Sequence, residues 1–139
     1  ISIITPTYNS SLYIAETIKS IISQTHDNWE LILVDDFSND NTVSIIESFI
    51  SLDNRIKLIE NTENKGAAFT RNTAILESKY SYLAFLDSDD IWVKEKLEEG
   101  NEGFVSESGE VEKWVGKIDK NKVKEHVVEV VEYLESLKQ

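Results

Sequence analysis

Tyr82-Leu83-Ala84-Phe85-Leu86-Asp87-Ser88-Asp89-Asp90-Ile91-Trp92 decides the fold: an apolar run too short for a helix empties into three carboxylates within four positions. Unbroken apolar runs of this length, bounded by polar turns, read as strands buried on both faces of a parallel sheet. Carboxylates at the end of such a strand repel one another and lose solvation. A hard divalent cation, which takes oxygen ligands, offsets that repulsion. The competing reading is a helix cap and a solvated turn, with Ser88 or Asp89 starting the helix that follows.

Working outward, the same apolar texture recurs upstream. Ile1-Ser2-Ile3-Ile4-Thr5 is β-branched and is cut off by Pro6, which predicts a strand ending in a turn. Asn9 or Ser10 is then expected to cap a helix carrying Leu12, Ile14, Ala15, Ile18, Ile21 and Ile22 on one face. Trp29 to Val34 reads as a second buried strand closing on Asp35-Asp36, and Ser38 to Asn41 as a turn and cap before a helix with Val43, Ile45, Ile46, Phe49 and Ile50. Arg55 to Glu60 predicts a third strand, Asn61 to Gly66 a polar loop, and Ala67 to Leu76 a third helix. Strict β-α alternation predicts a parallel sheet of about four strands, with helices on both faces and right-handed crossovers.

After Trp92 the texture changes. Lys94 to Glu99 continues a helix, and Gly100-Asn101-Glu102-Gly103 breaks it. Residues 104–107 and 110–114 pattern as a hairpin about Ser108-Gly109. Asp119 or Asn121 caps a long helix with Val123, Val127, Val130, Val131, Leu134 and Leu137 on one stripe. That stripe either packs on the sheet or serves as a partner surface, through which two copies would form a homodimer. The expected organisation is therefore an α/β unit over 1–99 and a C-terminal appendage over 100–139.

Composition limits the partners. A 139-residue chain that is 40% hydrophobic supports the core of one domain, or of a domain with an appendage. The net charge of −12 argues against nucleic acid or an anionic membrane as the main partner. Zero cysteines exclude disulfides and thiolate chemistry. No stretch reaches the apolar length of a membrane helix and no targeting peptide is visible, so the expected location is cytoplasmic, including the inner face of the membrane. The start at Ile1, without methionine, reads as a chain trimmed by a few residues. His26 and His126 have no partner at ligand spacing and receive no role.

In a parallel sheet the residues that follow each strand gather at one edge, where ligands bind near the strand-order switch. Here that edge would collect Pro6, Thr7, Tyr8 and Asn9; Asp35, Asp36 and Ser38; Asn61, Asn64, Lys65 and Gly66; and Asp87, Asp89 and Asp90. Aromatic, amide, hydroxyl and carboxylate groups would share one rim.

Four motifs on that rim carry a resemblance. Thr5-Pro6-Thr7-Tyr8-Asn9, Ile32-Leu33-Val34-Asp35-Asp36-Phe37-Ser38 with Asp40 and Thr42, Asn64-Lys65-Gly66 with Ala68 and Arg71-Asn72, and Phe85 to Trp92 stand in the order and spacing of family 2 glycosyltransferases. The resemblance covers roughly residues 1–99; it departs at Phe37, a position more often glycine. It implies the N-terminal, nucleotide-sugar-binding half of the Rossmann-like GT-A fold, with sugar transfer from a nucleotide diphosphate donor, UDP-sugar foremost, and inversion at the anomeric carbon. It also implies donor contacts from Pro6, Thr7, Tyr8, Asp36, Arg71, Asp87 and Ser88. Asp36 would accept a hydrogen bond from the base, and Tyr8 would stack on it. Asp89, with Asp87, would hold Mn²⁺ or Mg²⁺.

Plainer roles stay open beside these. Tyr8 also reads as core filling at a strand end, Arg71 as a solvated helix residue or a brace for Asp36, one of Asp35 and Asp36 as a turn former, and Asp90 as a helix cap. An inverting transferase needs a general base, which the family carries well past the Asp-X-Asp strand. No carboxylate in this chain takes that role by position. The chain therefore reads as a donor-binding half of a longer enzyme, as a shortened relative whose tail covers the sheet edge, or as a half-domain fused to a foreign tail. A non-catalytic nucleotide-binding module is the alternative function. A flavodoxin-like phosphoacceptor domain fails because the first strand ends in Pro-Thr-Tyr-Asn rather than an acidic pair.

Overall fold

The structure, a computed structural model, describes residues 1–98 and, beyond them, the strand residues 104–105, 111–112 and 115–117. Its elements run β1 (Ser2–Thr7), α1 (Ile14–Ile22), β2 (Glu30–Asp35), α2 (Thr42–Ile50), β3 (Ile56–Glu60), α3 (Ala67–Glu77) and β4 (Tyr82–Phe85), then the short strands β5 (Phe104–Val105), β6 (Val111–Glu112) and β7 (Val115–Lys117). The first four strands lie parallel in the order β3-β2-β1-β4. The strand order thus reverses at β1, placing the switch point between the loops that leave β1 and β4.

Alternation along the strands builds two cores. Ile3, Leu31, Leu33 and Ala84 face α1 and α2, through Ile14, Ile18, Ile21 and Ile46. Ile4, Ile32, Val34 and Leu83 face α3, through Ala74 and Ile75. Helices therefore cover both faces, as the alternation requires. At the edge opposite the strand-end loops, Glu30 is buried and accepts hydrogen bonds from Ser2 Oγ (2.7 Å), the Lys79 N–H (2.7 Å) and Lys57 Nζ (2.9 Å). Burial alone would raise its carboxyl; the Ser2, Lys79 and Lys57 hydrogen bonds outweigh it and hold the group below its ordinary value.

Four expectations need correction. Pro6 does not cut off β1, which continues to Thr7 with Pro6 opposite Val34. The carbonyl of Thr7 accepts from β2's side, at the Asp36 N–H, and that of Ile4 from β4's side, at the Leu86 N–H. Alternation then turns Pro6 toward the β4 side, where pairing has already ended at Ile4–Phe85, so its missing N–H costs no ladder bond. The sheet also has a fifth strand: β7 pairs antiparallel with β4, Tyr82 opposite Lys117, and covers the edge that the long helix was expected to cap.

Third, α1 begins at Ile14 after a turn, without a side-chain cap, and Leu12 and Ile22 fall outside its buried face. Fourth, residues 91–93 are irregular and helix resumes only at Lys96. The expected hairpin is present as β5 paired antiparallel with β6. The helix expected over 119–139, and with it the dimer surface, lies outside the described residues. Among the described residues no helix is long and apolar enough to cross a membrane.

Candidate functional site

A groove of about 620 Å³ opens at the C-terminal ends of the parallel strands, and all eight sequence-derived candidates line it. Pro6, Thr7 and Tyr8 come from the end of β1, Asp36 from just beyond β2, Arg71 from α3, and Asp87, Ser88 and Asp89 from the loop after β4. Asn9, Ser10, Tyr13, Asn64, Gly66, Ala67 and Thr70 complete the wall.

Carboxylate oxygens of Asp87, Asp89 and Asp90 lie within 4.8 Å of one another, all three side chains exposed. The Asp90 N–H donates to the Asp87 carbonyl at 3.1 Å and closes the turn. Asp90, read from sequence as a cap, thus joins the cluster. Two unit charges 4 Å apart repel by about 1 kcal/mol in water and about 4 kcal/mol at an effective dielectric near 20. The donor set, three convergent hard oxygens open to solvent, fits Mn²⁺ or Mg²⁺.

Asp35 and Asp36 divide their tasks. Asp35 forms the turn, accepting from the Ser38 N–H (2.9 Å), Ser38 Oγ (2.6 Å) and Thr7 Oγ1 (3.0 Å). The Thr7 hydroxyl is therefore already engaged. Asp36, only 5% exposed, accepts from Asn61 Nδ2 (2.9 Å), the Lys65 N–H (2.7 Å) and the Gly66 N–H (3.0 Å). Burial would raise its carboxyl, but these three donors hold it below 3.8. Asp36 thus fastens the loop between β3 and α3 as well as facing the groove. A carboxylate offers about four lone-pair sites, so one remains for a donor in the groove.

Asp40 stands outside the groove lining. Against the upward push of burial, the Thr42 hydroxyl and N–H and the Ser11 N–H hold its carboxyl at about 2. It ties the loop after β2 to the loop after β1. Asn9 adds to that tie, donating its N–H to Ser38 Oγ and accepting the Asn39 N–H.

Tyr8 is 53% exposed and so does not fill the core. Arg71, half-buried, is the one cation among the described lining side chains. Among the described residues no hydrogen bond or ion pair holds it; Asp36 takes its partners elsewhere, which removes the bracing role. Tyr13, Ser10 and Thr70 are additions that sequence reading missed. Tyr13 was hidden by placing the helix start at Asn9 or Ser10; its place beside the exposed Leu12, off the apolar stripe, was the available signal.

Phe37, at the position where the family resemblance departs from glycine, has φ +65° and is 58% exposed. A left-handed non-glycine residue costs about 1–2 kcal/mol, and glycine returns part of that through the entropy of the unfolded chain. Phe37→Gly is expected to raise stability by about 0.5–1 kcal/mol, a few degrees in Tm by thermal circular dichroism. A lowered Tm would show that the ring, not the backbone, governs this turn.

Known proteins share this sequence pattern and this fold. The chain matches the family model Glycosyl transferase family 2 over residues 2–124, past the end of the motif resemblance at residue 99. It is 49% identical over 98 residues to the UDP-Glc:alpha-D-GlcNAc-diphosphoundecaprenol beta-1,3-glucosyltransferase WfgD of Escherichia coli, covering 70% of this chain and 38% of WfgD. The crystal structure of S. aureus TarS 1-349 in complex with UDP superposes with a TM-score of 0.66 at 35% identity, covering 70% of this chain and 29% of TarS 1-349. The mannosyltransferase PcManGT from Pyrobaculum calidifontis, in complex with GDP-Man and Mn²⁺, superposes with a TM-score of 0.62 at 29% identity, covering 66% of this chain and 28% of PcManGT. The chain spans less than half the length of each. A family match running through all four motifs and the sheet that gathers them leaves one assignment: the chain belongs to glycosyltransferase family 2.

Proposed function

We propose that residues 1–99 form the donor-binding unit of a nucleotide-sugar-dependent glycosyltransferase, with 100–139 as its appendage, and that the donor is a UDP-sugar. The observation that carries this reading is the convergence of Tyr8, Asp36, Arg71, Asp87 and Asp89 on one groove at the strand-order switch. Tyr8 offers an exposed aromatic face to the base, and Asp36 a charged acceptor to a base N–H. Arg71 supplies fixed positive charge to a phosphate.

That single cation does not balance the groove's carboxylates and a diphosphate together, so the charge count calls for a divalent ion. Asp89 and Asp87, with Asp90 beside them, would hold Mn²⁺ or Mg²⁺. Such an ion supplies the positive charge that a diphosphate and its departing group need. Hydrogen bonds of Asn9, Asp36 and Asp40 tie together the loops beside the end that would take the base and ribose. The lipid-linked acceptor in the name of WfgD supports an acceptor of that class and a reaction at the inner membrane face.

The test is calorimetry with UDP, GDP and CDP, each with and without Mn²⁺. UDP binding at least about tenfold tighter with Mn²⁺ than without is expected, a difference of about 1.4 kcal/mol. Equal binding of UDP in the two conditions, or none in either, overturns the donor reading. Hydrolysis or transfer of a UDP-sugar by the same chain then separates a catalyst from a binding module.

A further inference from the structure

Helix α1 carries a buried polar row on the side that faces the segment after β4. Thr17 and Ser20, continued just past the helix end by Gln24, stand at i, i+3 and i+7 and are 0%, 7% and 7% exposed. Each bonds main chain of residues 88–97. Thr17 Oγ1 donates to the Ser88 carbonyl (3.0 Å), Ser20 Oγ accepts the Trp92 N–H (3.2 Å), and Gln24 donates to the Val93 carbonyl (2.8 Å) and accepts the Leu97 N–H (3.1 Å). The Thr25 N–H extends the series to the Lys94 carbonyl at 2.9 Å. Ahead of the helix, Ser10 Oγ meets Ser88 Oγ at 2.7 Å.

Residues 87–95 lie outside the helices and strands. Buried main-chain groups in such a segment need partners, and this row supplies them. The seam grips Ser88 at both its hydroxyl and its carbonyl. Ser88 lies between Asp87 and Asp89, whose carboxylates converge with that of Asp90 against their mutual repulsion. Side chains that fix the backbone beneath ligands determine how well those ligands are preorganised.

We propose that Thr17, backed by Ser20 and Gln24 and joined by Ser10, is a positioning residue that holds the acidic turn in its cation-binding geometry. This rests on the reading of that turn as a cation site. Thr17 touches neither donor nor metal; it acts through Ser88.

The experiment titrates Mn²⁺ into the full chain with UDP present, reading free Mn²⁺ by electron paramagnetic resonance well below the melting temperature. Thr17→Val keeps the shape and removes the donor. It is expected to weaken Mn²⁺ binding about tenfold, in the range seen for residues behind metal ligands, and Thr17→Ser to restore it to within about twofold. A merely structural role would lower Tm and leave Mn²⁺ affinity of the folded protein unchanged, so a folded Thr17→Val within about twofold of the parent overturns the proposal. Should that variant fail to fold, Ser10→Ala decides, with a threefold or greater weakening expected and unchanged affinity overturning it. Asp89→Ala separates the two readings. If it binds Mn²⁺ like the parent, the cation site itself falls; if it loses Mn²⁺ while Thr17→Val does not, only the seam falls.

Discussion

Replacing Asp89 with alanine is expected to abolish the gain that Mn²⁺ brings to UDP binding, a loss of about tenfold or more, or about 1.4 kcal/mol. Charge dictates this outcome. Asp87, Asp89 and Asp90 bring their oxygens within 4.8 Å of one another on an exposed turn, and among the described residues Arg71 is the only cation lining the groove. Without a divalent ion a diphosphate would approach a wall of its own sign. If Asp89 and Asp87 hold the ion as proposed, removing one of them would remove that positive charge, not one contact among many. The fold should be indifferent: Asp89 is exposed, no described hydrogen bond holds its side chain, and relief of like-charge repulsion leaves Tm equal or slightly higher. Calorimetry with UDP and Mn²⁺, paired with a thermal melt, reads both. Retained Mn²⁺-dependent UDP binding in a folded Asp89→Ala protein would remove the acidic turn from the site.

The parallel core and the rim were legible in the sequence because both depend on local pattern. Apolar runs such as Leu31–Val34 have one stable environment, a sheet covered on both faces, and the residues beyond such runs must collect at one edge. What escaped depends on pairing at a distance. Pro6 looked like a strand terminator because its effect depends on which side of β1 still carries a partner. Strand β7 is three residues long with Gly116 at its centre, so only the open edge of β4 makes it a strand. Thr17, Ser20 and Gln24 carried no signal in the sequence, since their partners are main-chain groups about 70 residues away. Asp36 was identified from motif position; its second task was invisible because its donors are mostly main-chain N–H groups.

That second task gives the largest stability effect expected in the molecule. Asp36→Ala leaves the Lys65 and Gly66 N–H groups and the Asn61 amide without their acceptor, around a site that is 5% exposed. Hydrogen bonds to a buried charge contribute about 1.5–3 kcal/mol each and are not additive, so a loss of about 3–4 kcal/mol is expected. Asp36→Asn is little better, because its NH2 must replace either Oδ1, where it meets the Lys65 N–H and the Asn61 amide donor, or Oδ2, where it meets the Gly66 N–H. The pH dependence carries the same signature. The folded carboxyl lies below the ordinary 3.8, so its contribution is complete above that value and is lost as pH falls through the depressed folded value. Asp40, held at about 2, loses its contribution over the same acid limb in parent and variant alike. Urea melts at pH 7 and pH 3 should therefore show the gap between parent and Asp36→Asn narrowing at the lower pH. A gap that is constant or widens on acidification would mean that the carboxylate charge at Asp36 does not fasten the loop. Because Asn64, Gly66 and Ala67 of that region form one groove wall, a stabilised background carrying Asp36→Asn should also bind UDP more weakly, through a loosened wall as well as a lost acceptor.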